Sequence, residues 1–106
     1  MTGALSSRTL LVIEDDPDSS SLLELYFTSK NYQVTVAARG ADGLARARQH
    51  PPDLILLDIN LPDMDGLAVC RELRTSARTS HVPIIFLTER SAQSDRVAGL
   101  GAGAQD

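Results

Sequence analysis

A chain of 106 residues, 42% hydrophobic and 23% charged, has room for one core and none of the compositional marks of disorder. Its net charge of -4, with 14 acids against 10 bases scattered along the chain, excludes the basic stripe that a nucleic-acid backbone requires. The lone cysteine, Cys70, excludes an internal disulfide framework, and no apolar run nears the roughly 20 residues of a membrane helix. Residues 1–7 lack the features of a secretory signal, so the expectation is a cytoplasmic protein with no membrane partner.

Residues 10–13 (Leu10, Leu11, Val12, Ile13) form an apolar run that ends at Glu14, Asp15 and Asp16. Continuous apolarity over that length predicts a strand covered on both faces. A helix follows, capped by Asp16 or Asp18 with Pro17 in its first turn. Leu22, Leu25, Tyr26 and Ser29 are spaced to form its buried face, broadened by Leu23 and Phe27. Residues 33–38, with Val34, Thr35 and Val36, predict a second strand. A second helix fits residues 41–49, where Leu44, Ala45 and Ala47 allow close packing before Pro51 and Pro52 stop it.

The run at 54–57 predicts a third strand, delivering Asp58 and then Asn60. After Gly66, a third helix fits residues 67–76, with Leu67, Cys70 and Leu73 on one face and Cys70 serving as a small core residue. The run at 84–87 predicts a fourth strand leading to Thr88, and a fourth helix fits residues 92–100 before the glycine-rich 99–103. His50 and His81 border loops and read as solvated surface residues. Strands alternating with helices imply right-handed βαβ units and a doubly wound α/β parallel sheet, whose ligands bind beyond the carboxyl ends of the strands.

Those ends carry Glu14, Asp15 and Asp16 from the first strand, Asp58 and Asn60 from the third, and Thr88 from the fourth. Clustered carboxylates repel one another, and a divalent cation with a preference for oxygen, such as Mg²⁺, relieves the repulsion. A carboxylate is also a competent phosphoryl acceptor, and a hydroxyl can hydrogen-bond a phosphoryl oxygen.

The segments Leu10-Leu11-Val12-Ile13-Glu14-Asp15-Asp16, Asp53-Leu54-Ile55-Leu56-Leu57-Asp58-Ile59-Asn60-Leu61-Pro62-Asp63-Met64-Asp65-Gly66 and Val82-Pro83-Ile84-Ile85-Phe86-Leu87-Thr88 resemble bacterial response-regulator receivers. The resemblance implies a flavodoxin-like receiver fold over residues 9–106, behind a flexible segment 1–8. It further implies Asp58 as phosphoacceptor, Asp15 as a direct Mg²⁺ ligand and Glu14 as a ligand directly or through water. The Asn60 backbone carbonyl is implied as a third protein ligand, Thr88 as the switch hydroxyl, and Pro62 and Gly66 as shapers of the loop. Asp16 falls outside the ligand set as a helix cap. The partner implied is a histidine kinase or phosphotransfer protein. Such a domain is no conventional enzyme, since it catalyses only its own phosphorylation and dephosphorylation.

Two departures from the family pattern stand out. Glu89 occupies a position where the family usually has a small residue, and it is expected to alter access to the phosphate or its lifetime. The family's last strand and helix, its phosphate-pairing lysine and its switch aromatic have no counterpart before Asp106. A receiver lacking that strand would expose the edge of the fourth, a route to a homodimer. Competing readings are a non-phosphorylated receiver-like interaction module and a Mg²⁺-dependent phosphohydrolase. The complete acid set argues against the first. The second calls for an acid where Asn60 stands.

Overall fold

The computed structural model describes residues 7–87. It contains β1 (Arg8–Ile13), α1 (Pro17–Ser29), β2 (Tyr32–Ala37), α2 (Gly40–Gln49), β3 (Leu54–Asp58), α3 (Gly66–Thr75) and β4 (Ile84–Leu87). The strands form one parallel sheet in the order β2-β1-β3-β4, as the alternating pattern implies. The fourth helix expected at 92–100, Thr88, Glu89 and most of the N-terminal segment lie outside the described residues.

Both faces of the sheet are covered, which is why β1 and β3 are apolar without alternation. Leu11, Ile13, Ile55, Leu57 and Ile84 point to one face, where they pack with Leu44 and Ala47 of α2 and Val69, Cys70 and Leu73 of α3. Leu10, Val12 and Leu56 point to the other, against Leu23 and Phe27 of α1. Each fully buried aliphatic side chain contributes about 1.5–3 kcal/mol. β2 alternates between exposed and half-buried positions, as suits its place at the edge. The starts of β1 and β3 are tied together, since the Asp53 Oδ2 accepts from the Thr9 amide at 2.8 Å and the Asp53 amide donates to the Thr9 carbonyl at 2.9 Å.

Three expectations need correction. On α1 the expected stripe Leu22, Leu25, Tyr26 and Ser29 is exposed, the first three at 69%, 71% and 56%, whereas Leu23 and Phe27, expected to broaden that stripe, face the sheet together with Ser20. Each residue turns the helix by about 100°, so a face centred on Ser20, Leu23 and Phe27 turns Leu22 and Leu25 away, and the crossover from β1 to β2 seats the helix on that face. In α2, Ala45 is exposed, and close packing comes from Gly40, Gly43, Leu44 and Ala47. Gly66 is the first residue of α3 rather than its predecessor.

The ends of the helices follow local chemistry. Asp16 caps α1, its Oδ2 accepting from the Ser19 amide at 3.2 Å and hydroxyl at 2.7 Å. Asn31 stops that helix at φ 75°, a left-handed conformation that Asn tolerates better than branched residues. Asp65 caps α3 through the Leu67 amide at 2.9 Å.

Candidate functional site

The strand order places the topological switch between β1 and β3, because the crossover from β1 reaches β2 on one side and the chain then returns to β3 on the other. Crevices at such a point, beyond the carboxyl ends of the strands, are where open α/β sheets bind ligands. The register sharpens the placement. Ile13 pairs with Leu57, so Glu14 and Asp58 leave neighbouring strands at the same level. On the far side Asp58 pairs with Leu87, the last residue of β4.

One carboxylate oxygen from each of Glu14, Asp15 and Asp58 lies within 4.8 Å of the others. Glu14 is buried at 4% exposure, Asp58 is half-buried and Asp15 is exposed. Backbone donors offset part of the crowding: the Asp16 amide donates to the Glu14 Oε2 at 3.0 Å, and the Asn60 amide to the Asp58 Oδ1 at 3.3 Å. These donors do not remove the repulsion among three anions, one of them buried.

The donor set fits a hard divalent cation. Oxygens on opposite sides of one Mg²⁺ are about 4.2 Å apart, twice the usual metal–oxygen distance. Adjacent oxygens on the same ion are closer still, at about 3.0 Å, so three oxygens within 4.8 Å of one another suit coordination once they draw in around the ion, or with one carboxylate acting through water. Asp16 is a helix cap, as expected.

The loop 59–65 is closed at its base, where Asn60 and Asp65 form an isolated bridge and the Gly66 amide donates to the Ile59 carbonyl at 2.7 Å. Gly66 is required by close approach: a Cβ there would collide with the Asp58 carbonyl oxygen and lie 2.7 Å from the Ile59 Cα. The start of α3 thus presses directly on the backbone of Asp58.

The loop also carries a residue that the sequence reading did not single out. Asp63 reaches across to α2, its Oδ1 accepting from the Gly40 amide at 2.8 Å and its Oδ2 from the Ala41 amide at 3.0 Å. The donors at Ala41 and Gly40 hold its carboxyl below the usual carboxylate range. The available signal was indirect. Arg39 precedes α2 as its N-cap and supplies no side-chain cap, so an acceptor from elsewhere was needed.

Residues 10–106 match the family described as response regulator receiver domain. The chain belongs to that family. It is 48% identical over 98 residues to the transcriptional regulatory protein AfsQ1 of Streptomyces coelicolor, covering 92% of this chain and 42% of AfsQ1. The chain therefore spans less than half the length of that relative. Among solved structures, a protein of Chloroflexus aurantiacus J-10-fl described as a response regulator superposes with TM-score 0.91 at 35% identity, covering 95% of this chain and 83% of that one. The receiver domain of the sensor histidine kinase PA1611 of Pseudomonas aeruginosa PAO1 gives TM-score 0.88 at 36% identity with the same coverage. That structure holds a magnesium ion coordinated in its active-site cleft.

Receivers are the regulatory modules of two-component signal transduction, and their partners are histidine kinases or phosphotransfer proteins. They are regulators rather than conventional enzymes. No described helix is long and apolar enough to cross a membrane.

Proposed function

We propose that this receiver is a phosphorylation-controlled switch, with Asp58 the acceptor of a phosphoryl group from a histidine kinase or phosphotransfer protein. The observation that carries this reading is the convergence of Glu14, Asp15 and Asp58 at the switch point of the sheet. An Asp58 carboxylate oxygen attacks the phosphorus of a phosphohistidine, a P–O bond forms, the P–N bond breaks, and the imidazole leaves with the electron pair. Asp15, Asp58 and the Asn60 carbonyl would hold Mg²⁺, with Glu14 a ligand directly or through water. When bound, that ion shields the carboxylates from the incoming phosphoryl group and spreads its charge.

The half-buried setting of Asp58 and the Asn60 amide on its Oδ1 support its role as the acceptor. Leu87 beside Asp58 supports the assignment of the next residue, Thr88, as the hydroxyl that responds to phosphorylation. Phosphorylation then shifts a pre-existing equilibrium between two surfaces of the domain, which is how a modification at one site reaches an output.

The test is incubation with acetyl phosphate, or with beryllofluoride, in the presence of Mg²⁺. Intact mass reads the covalent product and a binding assay reads the beryllofluoride adduct. A Mg²⁺-dependent product that disappears in Asp58→Ala is expected. A product that survives in Asp58→Ala, or none in the parent protein, refutes the assignment.

A further inference from the structure

The β3–α3 loop supplies caps to two helices at once. Asp65 caps α3, the helix it precedes, whereas Asp63 caps α2, whose first residues lie more than twenty positions earlier in the chain. Only the second of these is a cross-link, because it ties the tip of the loop to a separate element. It uses both carboxylate oxygens on two successive amides, which fixes direction as well as distance.

The packing around the cross-link leaves little slack. A Cβ at Gly40 would collide with Met64, the residue after Asp63, and lie 2.9 Å from the Val69 Cγ2. A Cβ at Gly43 would collide with Ile13, the last residue of β1 before Glu14. Helix α2 is thereby seated against the strand that delivers Glu14 and Asp15. Through Asp63 it also holds the loop that begins at Asp58 and contains Asn60. The base of the loop is fixed by the Asn60–Asp65 bridge and the Gly66–Ile59 hydrogen bond.

We infer that Asp63 is a positioning residue for the cation site: by clamping the loop to α2 it sets where the Asn60 carbonyl stands relative to Glu14, Asp15 and Asp58. The inference rests on the reading of that site given above. Asp63 itself takes no part in coordination or in phosphoryl transfer. Its contribution is preorganisation, because a loop held in place before the cation arrives loses less freedom on binding. Groups that orient metal ligands typically change affinity by about 10–100-fold when removed.

The experiment is a titration with Mg²⁺ alone, followed by the amide NMR signals of Glu14, Asp58 and Asn60, on four forms of the full protein. These are the parent, Asp63→Ala, Asp63→Asn and Ala45→Gly. Ala45 is an exposed residue of α2, and glycine there weakens the helix without touching the loop. Asp63→Ala is expected to weaken Mg²⁺ binding on the order of 10-fold. Asp63→Asn, which keeps one acceptor oxygen, is expected to fall between it and the parent. Ala45→Gly is expected to lower the melting temperature and leave Mg²⁺ affinity at the parental value.

Unchanged Mg²⁺ affinity in Asp63→Ala, with the Gly40 and Ala41 amide signals shifted, overturns the inference and leaves the site reading standing. An equal loss in Ala45→Gly also overturns it, because the effect would then be general loosening of α2. A parent protein that binds no Mg²⁺ overturns the site reading, and this inference falls with it. Should Asp63→Ala fail to fold, Asp63→Asn against Ala45→Gly carries the same comparison.

Discussion

Gly66→Ala tests how tightly the start of α3 bears on Asp58. The added methyl would sit 2.7 Å from the Ile59 Cα and closer still to the Asp58 carbonyl oxygen, both backbone atoms that cannot rotate away. Relief to an ordinary contact requires the loop or the helix start to move by about 0.7 Å at the first of these atoms, and by more at the second. Such overpacking costs about 1–3 kcal/mol. Helix propensity returns at most about 1 kcal/mol, and less at a first helical position than in an interior. The net expectation is a loss of about 1–2 kcal/mol, a fall of roughly 4–10 °C in melting temperature for a domain of this size. Scanning calorimetry measures the loss. Phosphorylation by acetyl phosphate should slow as well, because the displaced backbone belongs to the acceptor. A variant as stable as the parent would refute the account of close approach, and a destabilised variant with parental phosphorylation would refute its link to the acceptor.

Phe27→Ala should destabilise the domain by about 2 kcal/mol, since the half-buried ring packs beneath the sheet and edge-on to Tyr32. Leu22→Ala, at an exposed position of the same helix, should stay within about 0.5 kcal/mol; denaturant melts compare the two. Cys70 is buried, and burial pushes its thiol up despite Arg74 and Arg71, so alkylation at pH 8 should be confined to unfolded protein. Asp63 is shifted the other way. Its stabilising contribution is complete above the unfolded carboxyl's pKa and is lost as pH falls through the lower folded value. The Gly40 and Ala41 amide signals should therefore hold steady at neutral pH and titrate only below about pH 4. Saturating Mg²⁺ should raise the melting temperature, with about 2.7 kcal/mol gained at a hundred times the dissociation constant, and Asp58→Ala should reduce that gain.

Much of this fold was legible because the strands are buried on both faces. The runs at 10–13, 54–57 and 84–87 need no alternation to be recognised, and β4 begins and ends where its run does. The face of α1 was not legible. Leu22, Leu23, Leu25, Tyr26 and Phe27 crowd its surface with apolar groups, so helical spacing fits two overlapping stripes equally well. What selects between them is the seat of the helix against β1 and β2, a tertiary fact absent from the local pattern. The acids at the site were readable as strand ends, since a parallel sheet gathers those ends at one edge.

Asp63 escaped notice for a different reason. Its acceptor role depends on a helix 22 and 23 residues earlier in the chain, and a carboxylate in a loop has no periodicity to betray it. The absence of a cap before α2 states the need, while the β3–α3 loop supplies the answer. The two belong together physically. A site built from like charges opposes its own assembly, so the elements that carry those charges must be held by contacts outside the cluster. Glu14 is held by β1, which is locked between β2 and β3. Asp58 closes β3, and the chain after it is gripped at its base by Gly66 and at its tip by Asp63. Removing either grip should leave the acids in place and loosen their geometry, and a cation-binding measurement separates that outcome from simple loss of stability.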